Sequence, residues 1–272
     1  QMKIDIGKGD ITSQNVVVDK KGQGVLVTHS AGVLAGVEEV TYLAKKFSLT
    51  VKGGKDGMRI AKGKQILTLS GKLQDILKAE RGLVDLLSRM SGIATATHSV
   101  VEKVTGKVGV ACTRKTPLLL TDKKAVSVGG GLTHRLGLFD AIMIKDNHLS
   151  ALRNEGYPYY VTEALQRAMR NAKKAGFIEI EVSTRKEALE AASVLAGFTG
   201  IPRVILFDNM KPAVIKSLLR VIRKQYTGIF FEASGGISLK NASSYASSGV
   251  DVVSMGSLTH SVVPLDMSLE VR

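Results

Sequence analysis

Apolar residues in the second half of the chain gather into six short runs, over 108–112, 141–144, 178–182, 204–207, 229–231 and 250–254. Each is rich in β-branched residues, and stretches with helical periodicity separate them. A strand buried on one face alternates apolar with polar; a continuous apolar run fits a strand buried on both, as in a parallel sheet packed between helices. The repeated order of strand and helix predicts βα units. Several helix starts are marked. Thr184 and Glu187 form a capping-box pattern before 188–195. Pro212, after Lys211, stands at a first helical position. Ser238 is a cap candidate for a helix over 239–247, with Gly249 beyond its end. A helix over 162–175 is predicted after the loop Tyr157-Pro158-Tyr159-Tyr160. The first 72 residues read differently: short strand candidates at 16–18, 24–28, 49–51 and 65–69 lie among turns such as Lys52-Gly53-Gly54-Lys55, the pattern of a small antiparallel sheet. Leu73, Ile76, Leu77, Val84, Leu87 and Met90 then recur on one stripe and predict a helix over 73–90, with a second over 94–104.

Where the six runs end, the chain changes character. The ends carry Thr113-Arg114-Lys115, Lys145-Asp146-Asn147-His148, Glu181, Asp208-Asn209, Ser234-Gly235-Gly236 and Met255-Gly256-Ser257. In an α/β barrel the active site lies at the carboxyl ends of the strands. Glycine turns let backbone N–H groups approach a phosphate, and a following helix adds its dipole. Two such turns on the last two strands match the barrel phosphate site, with plain βα turns as the alternative. Arg114, Lys115, Lys145 and the pair His134-Arg135, just after Gly129-Gly130-Gly131, form a cation set suited to carboxylate or phosphate. Lysine and arginine are usually solvated surface groups, but strand ends favour a site. Glu181 and Asp208 suit ribose hydroxyls or Mg²⁺ bridging phosphates, or else are salt-bridge partners of the lysines. Glu179 shares the face of Glu181, so alternation leaves open which of them lines the site. His29, His98, His148 and His260 show no tight metal-ligand spacing, which speaks against zinc.

Composition narrows the classes. The 272 residues are 44% hydrophobic and 23% charged, enough for one large domain or two smaller ones, but the net charge is +14. Such an excess fits nucleic acid, an anionic membrane or a polyanionic small substrate. The cations form no basic run, aromatics are 5% and Trp is absent, which weakens a nucleic-acid reading. No apolar stretch approaches the roughly 20 residues of a membrane span, and no signal-peptide pattern opens the chain. The single Cys112 excludes an internal disulfide and fits a reducing, cytoplasmic setting.

Glu80-Arg81, Thr113-Arg114-Lys115-Thr116-Pro117, His134-Arg135, Ile144-Lys145-Asp146-Asn147-His148, Glu179-Ile180-Glu181-Val182, Phe207-Asp208-Asn209-Met210, Glu232-Ala233-Ser234-Gly235-Gly236-Ile237 and Gly256-Ser257-Leu258-Thr259-His260-Ser261 together resemble the motifs of the quinolinate phosphoribosyltransferases. The resemblance runs from near residue 4 to near residue 269. Cys112 departs from it, standing where aspartate is usual. The resemblance implies an N-terminal α+β open sandwich over 1–90, with the tail 262–272 packed back on it, and an incomplete, about seven-stranded α/β barrel over 91–261. It implies transfer of the phosphoribosyl group of phosphoribosyl pyrophosphate to quinolinate, with Mg²⁺, giving nicotinate mononucleotide, pyrophosphate and CO₂. Arg114, His134, Arg135 and Lys145 would hold the two ring carboxylates. Lys115 and Lys145 would contact the phosphoribosyl substrate, and Glu181 and Asp208 its ribose hydroxyls and, through the pyrophosphate, the metal. Ser234, Gly235, Gly236, Gly256 and His260 would cradle the 5′-phosphate. Lys115, Lys145, Glu181 and Asp208 would thus be the catalytic set. The implied assembly is a homodimer, or a higher oligomer built on it, with Arg81 entering the partner's site. Neither nucleic acid nor membrane is an expected partner. A relative that accepts nicotinate is the nearest alternative; five basic groups at one rim favour the diacid.

Overall fold

The computed structural model describes every residue except 1, 105, 107 and 171. The chain divides into two compact units: residues 1–98, 120–130 and 261–272 form one, and residues 99–119 with 131–260 form the other.

The first unit contains β1 (Lys21–Thr28), β2 (Gly32–Val33), β3 (Thr50–Gly53), β4 (Arg59–Ile60) and β5 (Gln65–Lys72). Its antiparallel sheet runs in the order C-terminal strand Met267–Val271, β1, β5, β3, so the end of the chain pairs with its first strand. No strand forms over 16–18. The Asp10 carboxylate accepts from Ser13 N–H at 3.0 Å and caps a helix, Ile11–Val16, that consumes the first of those valines. The two helices expected over 73–90 and 94–104 are one, Leu73–Val104. Nothing caps or breaks it between them. Gly92 is there for close approach, since a Cβ on it would lie 2.3 Å from the Val263 carbonyl oxygen. Leu73, Ile76, Leu83 and Leu87 on this helix share one core with Leu26, Leu67 and Leu69 of the sheet. The segment 120–130 belongs to this unit too. Arg89 donates from Nε and Nη2 to the fully buried Asp122 carboxylate at 2.9 and 2.7 Å. Lys124 donates to Glu38 and Glu39 at 2.6 and 2.8 Å. In space, then, the units do not part at a single cut near residue 90.

The second unit holds β6 (Gly109–Cys112), β7 (Ile142–Ile144), β8 (Ile178–Val182), β9 (Arg203–Asp208), β10 (Ile229–Ser234) and β11 (Val252–Met255). All six are parallel, in the order β6-β11-β10-β9-β8-β7, and every expected run supplies one. Leu132 adds a single parallel bridge to Ala111 on the outer edge of β6, a seventh position one residue long. The result is an incomplete α/β barrel. Ile178, Ile180, Val182, Ile205, Phe207 and Phe231 are each at most 1% exposed. Burying each contributes about 2 kcal/mol. Phe207 and Phe231 also stack with centroids 6.0 Å apart.

The flanking helices follow their caps. Thr184 accepts from Glu187 N–H at 3.2 Å while Glu187 accepts from Thr184 N–H at 3.1 Å, and helix Arg185–Ala196 follows. Pro212 opens helix Pro212–Gln225. The helix expected over 162–175 runs instead as Tyr160–Arg170 with a short turn, Ala172–Lys174. That expected over 239–247 is only Ala242–Ala246, because Asn241 accepts from Ser238 N–H at 2.8 Å and holds the preceding residues in a turn. Among the described residues no helix is long and apolar enough to cross a membrane.

Candidate active site

Strand alternation builds the site. Residues two apart on a strand face the same way, and five of the six barrel strands turn an alternating pair inward at or just beyond their carboxyl ends. Cys112 and Arg114, Met143 and Lys145, Leu206 and Asp208, Glu232 and Ser234, and Ser254 and Gly256 all line one cavity of about 800 Å³, together with Glu181. Contributions from both edge strands, β6 and β7, mean that the sheet curls until its two edges face a common space. Lys115, His134, Arg135, Asn209, Gly235, Gly236 and His260 complete most of the wall. Every candidate named from strand ends therefore comes together.

Arg81 lies elsewhere. It stands on helix Leu73–Val104, its side chain 65% exposed and paired to Asp85 at 3.3 Å. His98 and His29 also serve locally, His98 against Arg59 at 2.8 Å and His29 against Ser268 at 2.8 Å.

The cations are not equivalent. Lys145 Nζ donates to Glu181 Oε1 at 3.0 Å, and its backbone N–H donates to His148 Nδ1 at 2.9 Å, which fixes the turn from β7 into helix Asp146–Asn154. Arg114, Lys115 and Arg135 make no ion pair among the described residues. Arg135 is 6% exposed, and its guanidinium has one long contact, from Nη1 to the Ala141 carbonyl at 3.4 Å. Burial, and then the charge of Arg114, lower its proton affinity below the usual arginine value.

Glu181 faces the cavity, whereas Glu179, two residues deeper on the same face, is fully buried below it. There it meets His134, whose Nε2 lies 3.2 Å from Glu179 and 3.3 Å from Glu232. His134 has a left-handed backbone, φ 51°, and its Nδ1 accepts the Arg135 N–H at 2.8 Å. Both ring nitrogens are thus engaged by the protein itself. Burial alone would lower the His134 pKa; the hydrogen bonds to Glu179 and Glu232 outweigh it and raise it to about 10. Burial and the Glu232 charge push Glu179 upward as well. His134, Glu179 and Glu232 therefore bind protons as one coupled cluster. By donor type these three residues, with ligand atoms within 4.8 Å of one another, could also hold a metal ion. Spacings of 45 and 53 residues hid the cluster in the sequence.

The two glycine turns approach the cavity as anion-binding loops must. Gly235 has φ 93°, and a Cβ on it would lie 2.3 Å from Asn209 Oδ1. A Cβ on Gly256 would lie 2.9 Å from His260 Cδ2. The helices that follow are only 5 and 4 residues long, so the turn N–H groups, more than a helix dipole, are the available donors. Asn209 Nδ2 donates to Asp208 Oδ2 at 2.9 Å and orients that carboxylate. Counting back two residues from Arg114, Lys145, Asp208, Ser234 and Gly256 would have found Cys112, Met143, Leu206, Glu232 and Ser254.

Two family models match in tandem: quinolinate phosphoribosyl transferase, N-terminal domain, over residues 10–91, and its C-terminal domain over residues 93–270. A probable nicotinate-nucleotide pyrophosphorylase [carboxylating] of Methanothermobacter thermautotrophicus is 37% identical, covering 100% of this chain and 96% of its own length. The nicotinate-nucleotide pyrophosphorylase [carboxylating] of Mycobacterium leprae is 38% identical over 96% of this chain and 91% of its own. Among solved structures, NadC from Streptococcus pyogenes superposes with a TM-score of 0.87 at 33% identity, covering 100% of this chain and 93% of that one.

Proposed function

This chain belongs to the quinolinate phosphoribosyltransferase family, and from that premise we propose how its cavity carries out the family's reaction. The enzyme transfers the phosphoribosyl group of phosphoribosyl pyrophosphate to quinolinate with loss of CO₂, giving nicotinate mononucleotide and pyrophosphate for NAD biosynthesis. The observation that carries the assignment of roles is a set of three cations, Arg114, Lys115 and Arg135, that face one cavity without a carboxylate partner. A dianionic ring acid supplies what they lack. Arg114 and Arg135 grip its carboxylates, with Lys145 beside them. His134, its nitrogens already engaged, sets the backbone from which Arg135 projects.

The 5′-phosphate rests on the N–H groups of the Ser234–Gly236 and Gly256 turns, near His260. Breaking the bond from ribose C1 to pyrophosphate builds positive charge on the sugar and negative charge on the leaving group. Lys115 and Lys145 stabilise the departing charge, and Glu181 and Asp208 hold the ribose hydroxyls. The ring nitrogen bonds to C1 as pyrophosphate leaves and so becomes cationic; loss of CO₂ from the adjacent ring carbon then leaves an electron pair there, and that carbon takes up a proton. Mg²⁺ fits this cavity, because the Glu181 and Asp208 carboxylates offer hard oxygens next to the space for a diphosphate. When bound, it neutralises pyrophosphate charge. We further assign the enzyme to the cytoplasm and to a homodimer, with Arg81 of each protomer reaching the other's cavity.

Incubating the protein with Mg²⁺, phosphoribosyl pyrophosphate and quinolinate tests the reading. Nicotinate mononucleotide and CO₂ are expected in equal amounts. Turnover of nicotinate with none of quinolinate would overturn it.

A further inference from the structure

The loops that follow β6 and β11 leave the barrel side by side, since Cys112 and Met255 are register partners at the ends of adjacent strands. One loop carries Lys115 and the other Gly256, and the Thr259 side chain joins them. Thr259, fully buried, donates from Oγ1 to the Lys115 carbonyl oxygen at 2.9 Å across 144 residues of sequence. A second acceptor, the Gly256 carbonyl at 3.3 Å, already receives the Thr259 and His260 backbone N–H groups at 3.1 and 3.0 Å. A hydroxyl has one proton, and the shorter bond to the less occupied acceptor takes it. On the far side of the same residue, the Lys115 N–H donates to Thr113 Oγ1 at 3.2 Å.

We propose that Thr259 is a positioning residue, whose hydroxyl locks the Lys115 loop to the phosphate-binding turn so that the Lys115 ammonium stands over the leaving pyrophosphate while the sugar phosphate is held. The proposal rests on the role given to Lys115 above. It makes the bond a device of the transition state: substrates bind through other groups, and the lock holds the cation where charge develops.

The test compares Thr259→Val, which keeps shape and removes the hydroxyl, with Thr259→Ser, which keeps the hydroxyl. Thr259→Val is expected to lower kcat about tenfold with KM for both substrates within about threefold of the parent, and Thr259→Ser to stay within about twofold. Thr259→Ala serves if the valine variant does not fold. Lys115→Ala and the double variant complete a cycle. A lock acting through Lys115 leaves the double variant no slower than Lys115→Ala alone, whereas an unrelated structural defect adds its own loss. Full kcat in a folded Thr259→Val or Thr259→Ala, or an additive double variant, would overturn the lock. Full activity in Lys115→Ala would instead remove the reading of Lys115 on which it rests.

Discussion

Arg135 is nearly buried, makes no ion pair among the described residues and stands close enough to Arg114 for the two charges to oppose one another. Its guanidinium is therefore held ready for an anion from outside. Arg135→Ala is expected to raise KM for quinolinate about 10- to 100-fold, the size of one lost charged hydrogen bond or ion contact, and to leave the affinity for phosphoribosyl pyrophosphate within about threefold. Initial rates with each substrate varied in turn would show it. Next door, the His134 cluster binds its proton more tightly folded than unfolded. A pKa raised from 6.5 to about 10 contributes stability that is complete below 6.5 and is lost as pH rises through 10. The unfolding temperature should accordingly fall between pH 7 and pH 10, and fall less in Glu232→Gln, which removes one of the two acids. A calorimetric series in pH on both proteins would reveal an unchanged slope if the cluster were not responsible.

At the level of elements, much of the second unit was legible in the sequence. Continuous β-branched runs cannot be solvated on either face, so the six parallel strands followed from composition alone, and Thr184 with Glu187 marked its helix by the bonds the structure contains. The site was legible for the same reason: strand ends carry it. Less legible was what depends on distant partners. The helix was expected in two pieces, 73–90 and 94–104; the neighbour that calls for glycine at 92, Val263, lies 171 residues away. The cavity's deeper layer was missed because Glu232 comes just after the run 229–231 and Ser254 closes the run 250–254, one step before the glycine turns that drew the reading. The ion pair of Arg89 with Asp122 had no sequence signal either. It fastens the segment 120–130 within the first unit, and Asp122→Ala, which takes a two-bond carboxylate from a largely buried guanidinium, is expected to cost about 3 kcal/mol of unfolding free energy by denaturant titration.

For the molecule as a whole, the net charge of +14 favours encounter with polyanionic substrates. Arg81 raises a different question, since an exposed arginine outside the cavity can act on it only from another protomer in the assembly we propose. Arg81→Ala and Lys145→Ala are each expected to be nearly inactive, and a mixture allowed to exchange subunits should regain up to about a quarter of the parent rate, as one intact site forms in half of the dimers. Absence of rescue despite demonstrated exchange would exclude the shared site.

Because most groups of the cavity stand on separate strands, backbone pairing spaces them like marks on a ruler, about 4.8 Å from one strand to the next. A charge can be swapped at a mark but not slid between marks. Accommodation of a differently shaped acid must then come by exchange at fixed stations or from the loops above them, which leaves the frame itself indifferent to the guest it measures.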